Sequence, residues 1–409
     1  MFVIYSLNYS PELTGIGKYN GELCIELVQR DFKVVAVVAP PYYPEWKIHK
    51  GYKSFTFDNK LIAGVNVLRC PIYVPRKVTT LKRIIHLTSF AITSSLALMS
   101  RVFKKTEVIM LVQPTLFCAP FTLIYAKLVG AKTIMHIQDF EVDALFGLGM
   151  MGEGMLARFA KRSECWLMQR FDAISTISYS MIDNAKQKGV DEHKIIHFPN
   201  WSDTNFVTPI TSGDSLKAEW GFSKTDKIIL YAGNIGNKQG LEVVLEAAQH
   251  FVSSKDIKFV LVGTGSYAEV LKDKAAKLLL PNIIFKPLQP WSRVPEMLAL
   301  ASVHLVVQKK GAADAVLPSK LTNILSCGGH ALVTAEEHTE LGQIAVKHPG
   351  IYDCIEPENT VAFIEGLESL LSRNLMPHNT VARDFAEQFL AKDKILDQFA
   401  SDIKRLVNT

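Results

Sequence analysis

The sequence predicts an α/β protein made of two Rossmann-like, doubly wound domains facing across a cleft. Short apolar runs recur along the chain with helical stretches between them, the pattern of parallel sheets covered by helices on both faces. The chain has 409 residues. One hydrophobic core rarely grows so large, so two domains of roughly 200 residues each are expected. Both halves also open with a strand that runs into a glycine-containing turn.

In the first half, strands are predicted at 2–6, 34–38, 65–70, 108–112, 133–137, 173–177 and 195–198. In the second half the runs fall at 228–232, 259–262, 283–285, 303–307 and 331–334. After Gly240, the residues Leu241, Val244, Leu245 and Ala248 share one helical face. A polar stretch begins at Pro199-Asn200-Trp201-Ser202-Asp203 and precedes the next strand. The division is placed there, with residues 1–207 in one domain and 208–409 in the other. The last helix is a candidate to cross back to the first domain.

Composition bounds the class. Hydrophobic residues make up 48% and charged residues 21%, values of a folded globular protein. A formal net charge of +5 over 409 residues is too small an excess to point to nucleic acid, although it suits an anionic surface. Cys24, Cys70, Cys118, Cys165, Cys327 and Cys354 show no paired spacing, so neither a disulfide framework nor a zinc knuckle is expected, and a reducing cytoplasm is. The start, Met-Phe-Val-Ile-Tyr, turns polar at Ser6 and lacks the basic and apolar regions of an export signal.

Four glycine-containing segments follow predicted strands, where open α/β sheets bind ligands. Gly15 and Gly17 open a helix after the first strand, and their backbone N–H groups suit a diphosphate at a helix N-terminus. The same pair also suits a plain strand-to-helix turn. Gly21 stands one place too late for the dinucleotide fingerprint Gly-x-Gly-x-x-Gly, which argues against NAD. In the second half, Gly233-Asn234-Ile235-Gly236-Asn237-Lys238-Gln239-Gly240 repeats the layout with a cation, Lys238, just before the helix. Fixed donors and cations at such a place lower the barrier to breaking a sugar–phosphate bond, because negative charge builds on the departing diphosphate. The turn Gly263-Thr264-Gly265 and the loop from Gly311 to Asn323 follow further strand ends. Within that loop Ser319 is expected to cap a helix, with Asp314, Lys320 and Asn323 beside it.

The strand 133–137 ends at His136-Ile137-Gln138-Asp139. Residues two apart on a strand share a face, so His136 and Gln138 are expected to look the same way with Asp139 at the tip. His136 and Asp139 are the candidate catalytic residues of this half; a packed core histidine is the alternative. No Asp-x-Asp occurs, nor any His/Cys cluster with ligand spacing, so neither a metal nor another cofactor is expected. Residues 84–100 carry no charge, yet Arg76, Lys77, Lys82 and Arg83 precede them and Arg101, Lys104 and Lys105 follow. Six Ser and Thr residues dilute the run, so a helix docked on its own domain with one face on an anionic membrane is expected rather than a span. A buried Rossmann helix with solvated ends is the alternative.

Together these residues resemble the family-4 retaining glycosyltransferases over nearly the whole chain. The Gly15/Gly17 opening, Ile174-Ser-Thr-Ile-Ser178 with Pro199-Asn200, the Gly233 to Gly240 segment and Pro318-Ser319-Lys320 occur in the family's order. Asn8-Tyr-Ser-Pro-Glu-Leu-Thr-Gly-Ile-Gly-Lys-Tyr19, Ala39-Pro-Pro-Tyr-Tyr-Pro44 and Pro114-Thr-Leu-Phe-Cys-Ala-Pro120 look like the colanic acid biosynthesis subgroup, proposed to be fucosyltransferases. The resemblance implies a GT-B fold and a nucleoside-diphosphate sugar in the C-terminal domain. It implies transfer with retention to an acceptor held by the N-terminal domain, with GDP-fucose and a lipid-linked saccharide as the substrates. The family's usual Arg is Asn234 here, its usual Lys is Gln239 with Lys238 one place earlier, and its Glu-x7-Glu pair is replaced by Ala315 beside Asp314 and by Asn323. In the His-Asp pair of the N-domain, Gln138 replaces the histidine next to Asp139. The implied roles are charge stabilisation by Lys238 and Asn234 and donor orientation by Asp314, Ser319, Lys320 and Asn323. A cytoplasmic enzyme peripherally bound to the inner membrane is the corresponding location. A nucleotide-sugar epimerase and a non-catalytic sugar- or nucleotide-binding protein are the rival readings.

Overall fold

The computed structural model of the chain describes residues 1–12, 15–77, 79–140, 154–209, 212–311 and 318–409. These form two compact units, Met1–Pro199 with Leu396–Thr409, and Asn200–Ile395.

The strands of the first unit are β1 (Phe2–Ser6), β2 (Val34–Val38), β3 (Asp58–Ile62), β4 (Val65–Arg69), β5 (Val108–Gln113), β6 (Lys132–Ile137), β7 (Ala173–Thr176) and β8 (Ile195–His197). They lie in the order β3-β4-β2-β1-β5-β6-β7-β8, parallel throughout except for the antiparallel β3–β4 pair. Phe2 pairs with Val34 on one side and with Val108 on the other, so the strand order reverses at β1. β1, β2 and β5 are buried along their whole length, which is why each reads as an unbroken apolar run.

The second unit holds β9 (Lys227–Ala232), β10 (Ile257–Val262), β11 (Ile283–Lys286), β12 (Val303–Val306), β13 (Ala331–Thr334) and β14 (Asp353–Ile355) in the order β11-β10-β9-β12-β13-β14, all parallel. This is the Rossmann order, with its reversal between β9 and β12. Ile228 and Leu230 enter one core cluster while Ile229 and Tyr231 enter the other, as a side-chain period of two requires of a sheet covered on both faces.

The division falls at Asn200, eight residues before 208, because the polar stretch there is pinned rather than free. Ser202 donates its N–H to Leu390 and accepts from Lys392, and the Arg383 guanidinium donates to the carbonyls of Thr204 and Val207. Leu396–Thr409, the greater part of the last helix, Lys392–Asn408, belongs to the first unit. There Phe399 stacks on Phe198 with centroids 3.8 Å apart.

Candidate active site

In the second unit, the chain leaves β9 through Gly233 and Asn234 into a single turn, Asn237–Gln239, and then the helix Glu242–His250. β10 leaves through Gly263-Thr264-Gly265. The two loops continue side by side past the ends of their strands: Gly233 N–H donates to Val262 O at 2.9 Å and Ile235 N–H to Thr264 O at 2.8 Å. A Cβ on Gly263 would overlap the Gly233 carbonyl oxygen, and one on Gly265 would overlap the Ile235 carbonyl oxygen. Only glycine lets the backbones come this close. The Tyr231 hydroxyl donates to Asn234 O at 2.6 Å and fixes the mouth of the first loop, leaving the Asn234 side chain exposed beside Gly265.

Three lysines gather on these loops. Lys320, in the helix Ser319–Ser326, places its ammonium 3.8 Å from the centroid of the Tyr231 ring. It is so close to the β9 loop that a Cβ on Gly233 would lie 3.2 Å from its Nζ. Among the described residues no carboxylate pairs with it, and burial pushes its pKa down to about 7. An ammonium held against a ring face, with no carboxylate beside it among the described residues, favours an anion at this place. Lys238 is exposed on the single turn, and its carbonyl accepts the N–H of Lys309 at 3.0 Å. Lys309 follows β12, and its ammonium donates to Asn237 Oδ1 at 3.1 Å. All three stand at the C-terminal ends of β9 and β12, where the strand order reverses and doubly wound sheets bind their ligands.

The start of that helix differs from expectation. Pro318, with extended dihedrals, occupies the cap position and Ser319 is the first helical residue, so no side chain caps the helix. Proline's fixed φ already matches the entry. The amides of Ser319 and Lys320 consequently keep no backbone partner among the described residues, which leaves two donors and the positive end of the helix beside the lysine. Asn323 is tied back to the beginning of the unit, where Ser202 Oγ donates to its Oδ1 at 2.8 Å. Asp314 lies outside the described residues.

In the first unit, Gly15 adopts φ +61° and opens the helix Gly15–Gln29, but Gly17 is pressed against Glu12, whose carboxylate lies where a side chain at position 17 would go. Glu12 is buried. It accepts from the N–H groups of Tyr42 and Tyr43, both at 3.1 Å, and from Asn8 Nδ2 at 3.0 Å. Burial raises its pKa against these donors. A carboxylate here disfavours a second anion, so the diphosphate reading of Gly15 and Gly17 gives way to the tight turn. Glu12 instead ties the loop after β1 to the loop after β2.

His136 takes the packed alternative. It is 2% exposed. Its Nδ1–H donates to Ser175 Oγ at 2.8 Å, its Nε2 accepts from Gln138 at 2.9 Å, and its ring packs on Phe198. Burial pushes its pKa down to about 3, so it stays neutral and has no lone pair to offer. Asp139 does reach the surface at the tip of the strand. Arg76 and Lys77 are exposed ahead of the helix Thr80–Met99, and Lys82 and Arg83 are half-buried in its first turn.

Two family models divide the chain at the same place as the fold. The glycosyl transferase 4-like domain matches residues 14–201 and the glycosyl transferases group 1 model matches residues 213–388. The Escherichia coli protein WcaI, a glycosyl transferase named for colanic acid biosynthesis, is 46% identical over 98% of this chain and 99% of its own. The chain belongs to the group 1 glycosyltransferases. Among solved structures, this glycosyltransferase superposes on sucrose-phosphate synthase from Thermosynechococcus elongatus with a TM-score of 0.77 over 99% and 98% of the two chains, at 12% identity. It superposes on Anabaena HepE, solved with UDP and glucose, with a TM-score of 0.70 over 99% and 100%, again at 12%. These likenesses establish the GT-B fold, two Rossmann-like domains.

Two residues of the glycosyltransferase escaped the sequence reading. Lys309 carried a usable signal, since it follows a strand in the same way as Gly233 does; Glu12 carried none, because nothing local distinguishes a buried carboxylate from a solvated one. For His136, replacement by alanine is expected to cost about 2–4 kcal/mol, through a cavity and an unpaired Ser175 and Gln138. The measurement is chemical unfolding beside transfer rate per folded molecule. A stable variant with abolished transfer would return His136 to the site.

Proposed function

We propose that this glycosyltransferase transfers a sugar, fucose from GDP-fucose, with retention of anomeric configuration onto a lipid-linked intermediate of a colanic acid-like exopolysaccharide, while attached peripherally to the cytoplasmic face of the inner membrane. The observation that carries the donor half is Lys320, an ammonium packed on the Tyr231 ring with no carboxylate partner among the described residues, at the switch point of the second sheet. With Lys238, Lys309 and the two uncapped amides it supplies the positive field that a leaving diphosphate needs. The acceptor hydroxyl attacks the anomeric carbon on the face the diphosphate leaves. The carbon–oxygen bond to phosphate breaks as the new glycosidic bond forms, and the hydroxyl proton passes to a diphosphate oxygen. Lys238 and Asn234 stabilise the departing charge; Asp314, Ser319, Lys320 and Asn323 orient the donor. The likeness to WcaI over the full length supports the polysaccharide context.

Lysines in this role replace a divalent ion, so transfer is expected to survive EDTA and to gain nothing from magnesium or manganese. Loss in EDTA with rescue by either metal would overturn metal independence. The decisive experiment incubates the protein with GDP-fucose, GDP-mannose and UDP-sugars together with a polyprenyl-diphosphate-linked acceptor and identifies the product. Fucosylated lipid with retained configuration is expected. A free epimerised nucleotide sugar, or binding without turnover, would replace the reading.

A further inference from the structure

The helix Thr80–Met99 buries Leu87, Phe90, Ser94 and Leu98 against its own unit. On its outer side Leu81, Ile84, Ile85, Ile92 and Leu96 are exposed, and their spacing puts them in one sector of the helix about 120° wide. From Leu81 to Leu96 the stripe is ~22 Å long at 1.5 Å per residue. The neighbouring helix, Ala119–Val129, packs on the first and has a stripe of its own, with Ile124 53% and Leu128 61% exposed. Right-handed crossovers from β4 to β5 and from β5 to β6 move the same way across the sheet, so both helices cover one face and both stripes look outward. Beyond the first helix Phe103 is 98% exposed.

The charges around this apolar surface have one sign. Between Asn59 and Gln138 there are eleven Lys and Arg residues and one acid, Glu107. That acid is already paired with the N-terminal ammonium. Arg76, Lys77, Lys82 and Arg83 stand at one end of the long stripe, and Arg101, Lys104, Lys105 and Lys127 at the other. A second copy docking here through a two-fold axis would bring like charges together, whereas an anionic lipid surface receives both the cations and the apolar stripes.

We infer that the paired helices Thr80–Met99 and Ala119–Val129 form a platform that inserts its apolar stripes into the interface of an anionic bilayer, with the basic ends gripping headgroups. This rests on the peripheral attachment proposed above and extends it: attachment is by shallow insertion over two helices, not by the basic patch alone.

The test compares the full-length protein with two combined variants on neutral phosphatidylcholine vesicles and on vesicles containing phosphatidylglycerol, at low and high salt. One variant carries Ile92→Ser, Leu96→Ser, Ile124→Ser and Leu128→Ser; the other changes Arg76, Lys77, Lys82 and Arg83 to Ser. The native protein is expected to bind anionic vesicles and to keep a salt-resistant fraction. The apolar variant should lose that fraction and bind about tenfold more weakly, while the basic variant loses mainly the low-salt part. In addition, Leu96→Trp should emit at shorter wavelength on anionic vesicles and be quenched by brominated acyl chains. If the native protein binds neither vesicle, peripheral attachment itself fails. If it binds and the apolar variant binds equally, with no quenching of the new tryptophan, attachment stands and insertion is overturned. A native dimer that the apolar variant dissociates would also overturn it, assigning the platform to self-association.

Discussion

Lys320→Met lowers transfer by about 10²- to 10³-fold, the effect expected when one donor aimed at a developing oxyanion is removed. Methionine keeps the length and the contact with Tyr231 but not the charge, so the helix should stay folded. A pH signature goes with it. With its pKa pushed down to about 7, Lys320 is half-charged near neutrality in the empty enzyme, and a diphosphate binds the ammonium form. Nucleoside-diphosphate affinity should therefore weaken as pH rises from 6 to 9, and the slope should vanish in Lys320→Met. Without ligand the sign is opposite. The unfolded chain holds the lysine proton up to roughly pH 10.4, so the native state gains stability as pH rises from about 7 toward that value. Lys238→Ala is also expected to slow turnover, by about 10², but it should keep the slope because Lys320 is still present. Calorimetric titration of GDP across pH, beside steady-state kinetics, reads all of this. A native affinity independent of pH, or a Lys320→Met enzyme with unchanged kinetics, removes the lysine from the site.

Gly263→Ala should be the most damaging single methyl group in the second unit. The added Cβ meets a backbone carbonyl, that of Gly233, which cannot swing aside as a side chain would. Relief requires parting the loops after β9 and β10, breaking the bond from Gly233 N–H to Val262 O and moving Gly233 away from Lys320. Overpacking together with an unfavourable φ puts the cost at ~3 kcal/mol or more. For a unit of this size that lowers the midpoint by roughly 6–12 °C, with donor binding lost even in the folded fraction. Gly221→Ala is the control. Gly221 has φ +82° with open space around its Cβ, so only the conformational cost of about 1 kcal/mol applies. Equal midpoints for the two variants would show that the loops separate freely.

Strands buried on both faces were legible because burial leaves no polar positions, as in β9, where Ile228 to Tyr231 serve two cores in turn. β3 was missed for the opposite reason. It is an antiparallel edge with Asn59 to Ile62 exposed, held by pairing with β4 and a turn at Ala63-Gly64, so it has no hydrophobic period. β14 is three residues long and half-buried, too short to have a period. At the candidate site, the glycine turns of the second unit and the helix start that holds Lys320 were legible from their places after strand ends. The closeness of Lys309 to Lys238 was not, since it depends on which strands are neighbours. His136 shows the limit from the other side. Alternation tells which face of the strand it is on, but not that Phe198 and Ser175 cover that face.

The last helix gives the molecule an order of assembly. Leu396, Phe399 and Ile403 are buried, and they belong to the unit whose other residues left the ribosome some two hundred residues earlier. Asn200–Ile395 is unbroken in sequence and is complete once residue 395 has emerged. The N-terminal unit is begun first and closed last, with Phe198 waiting uncovered for Phe399 throughout synthesis of the other half. A nascent chain of this design has its unfinished seam on the same unit that has the exposed apolar helices, so chaperone demand should fall on the first half. No single cut in the gene yields two whole domains.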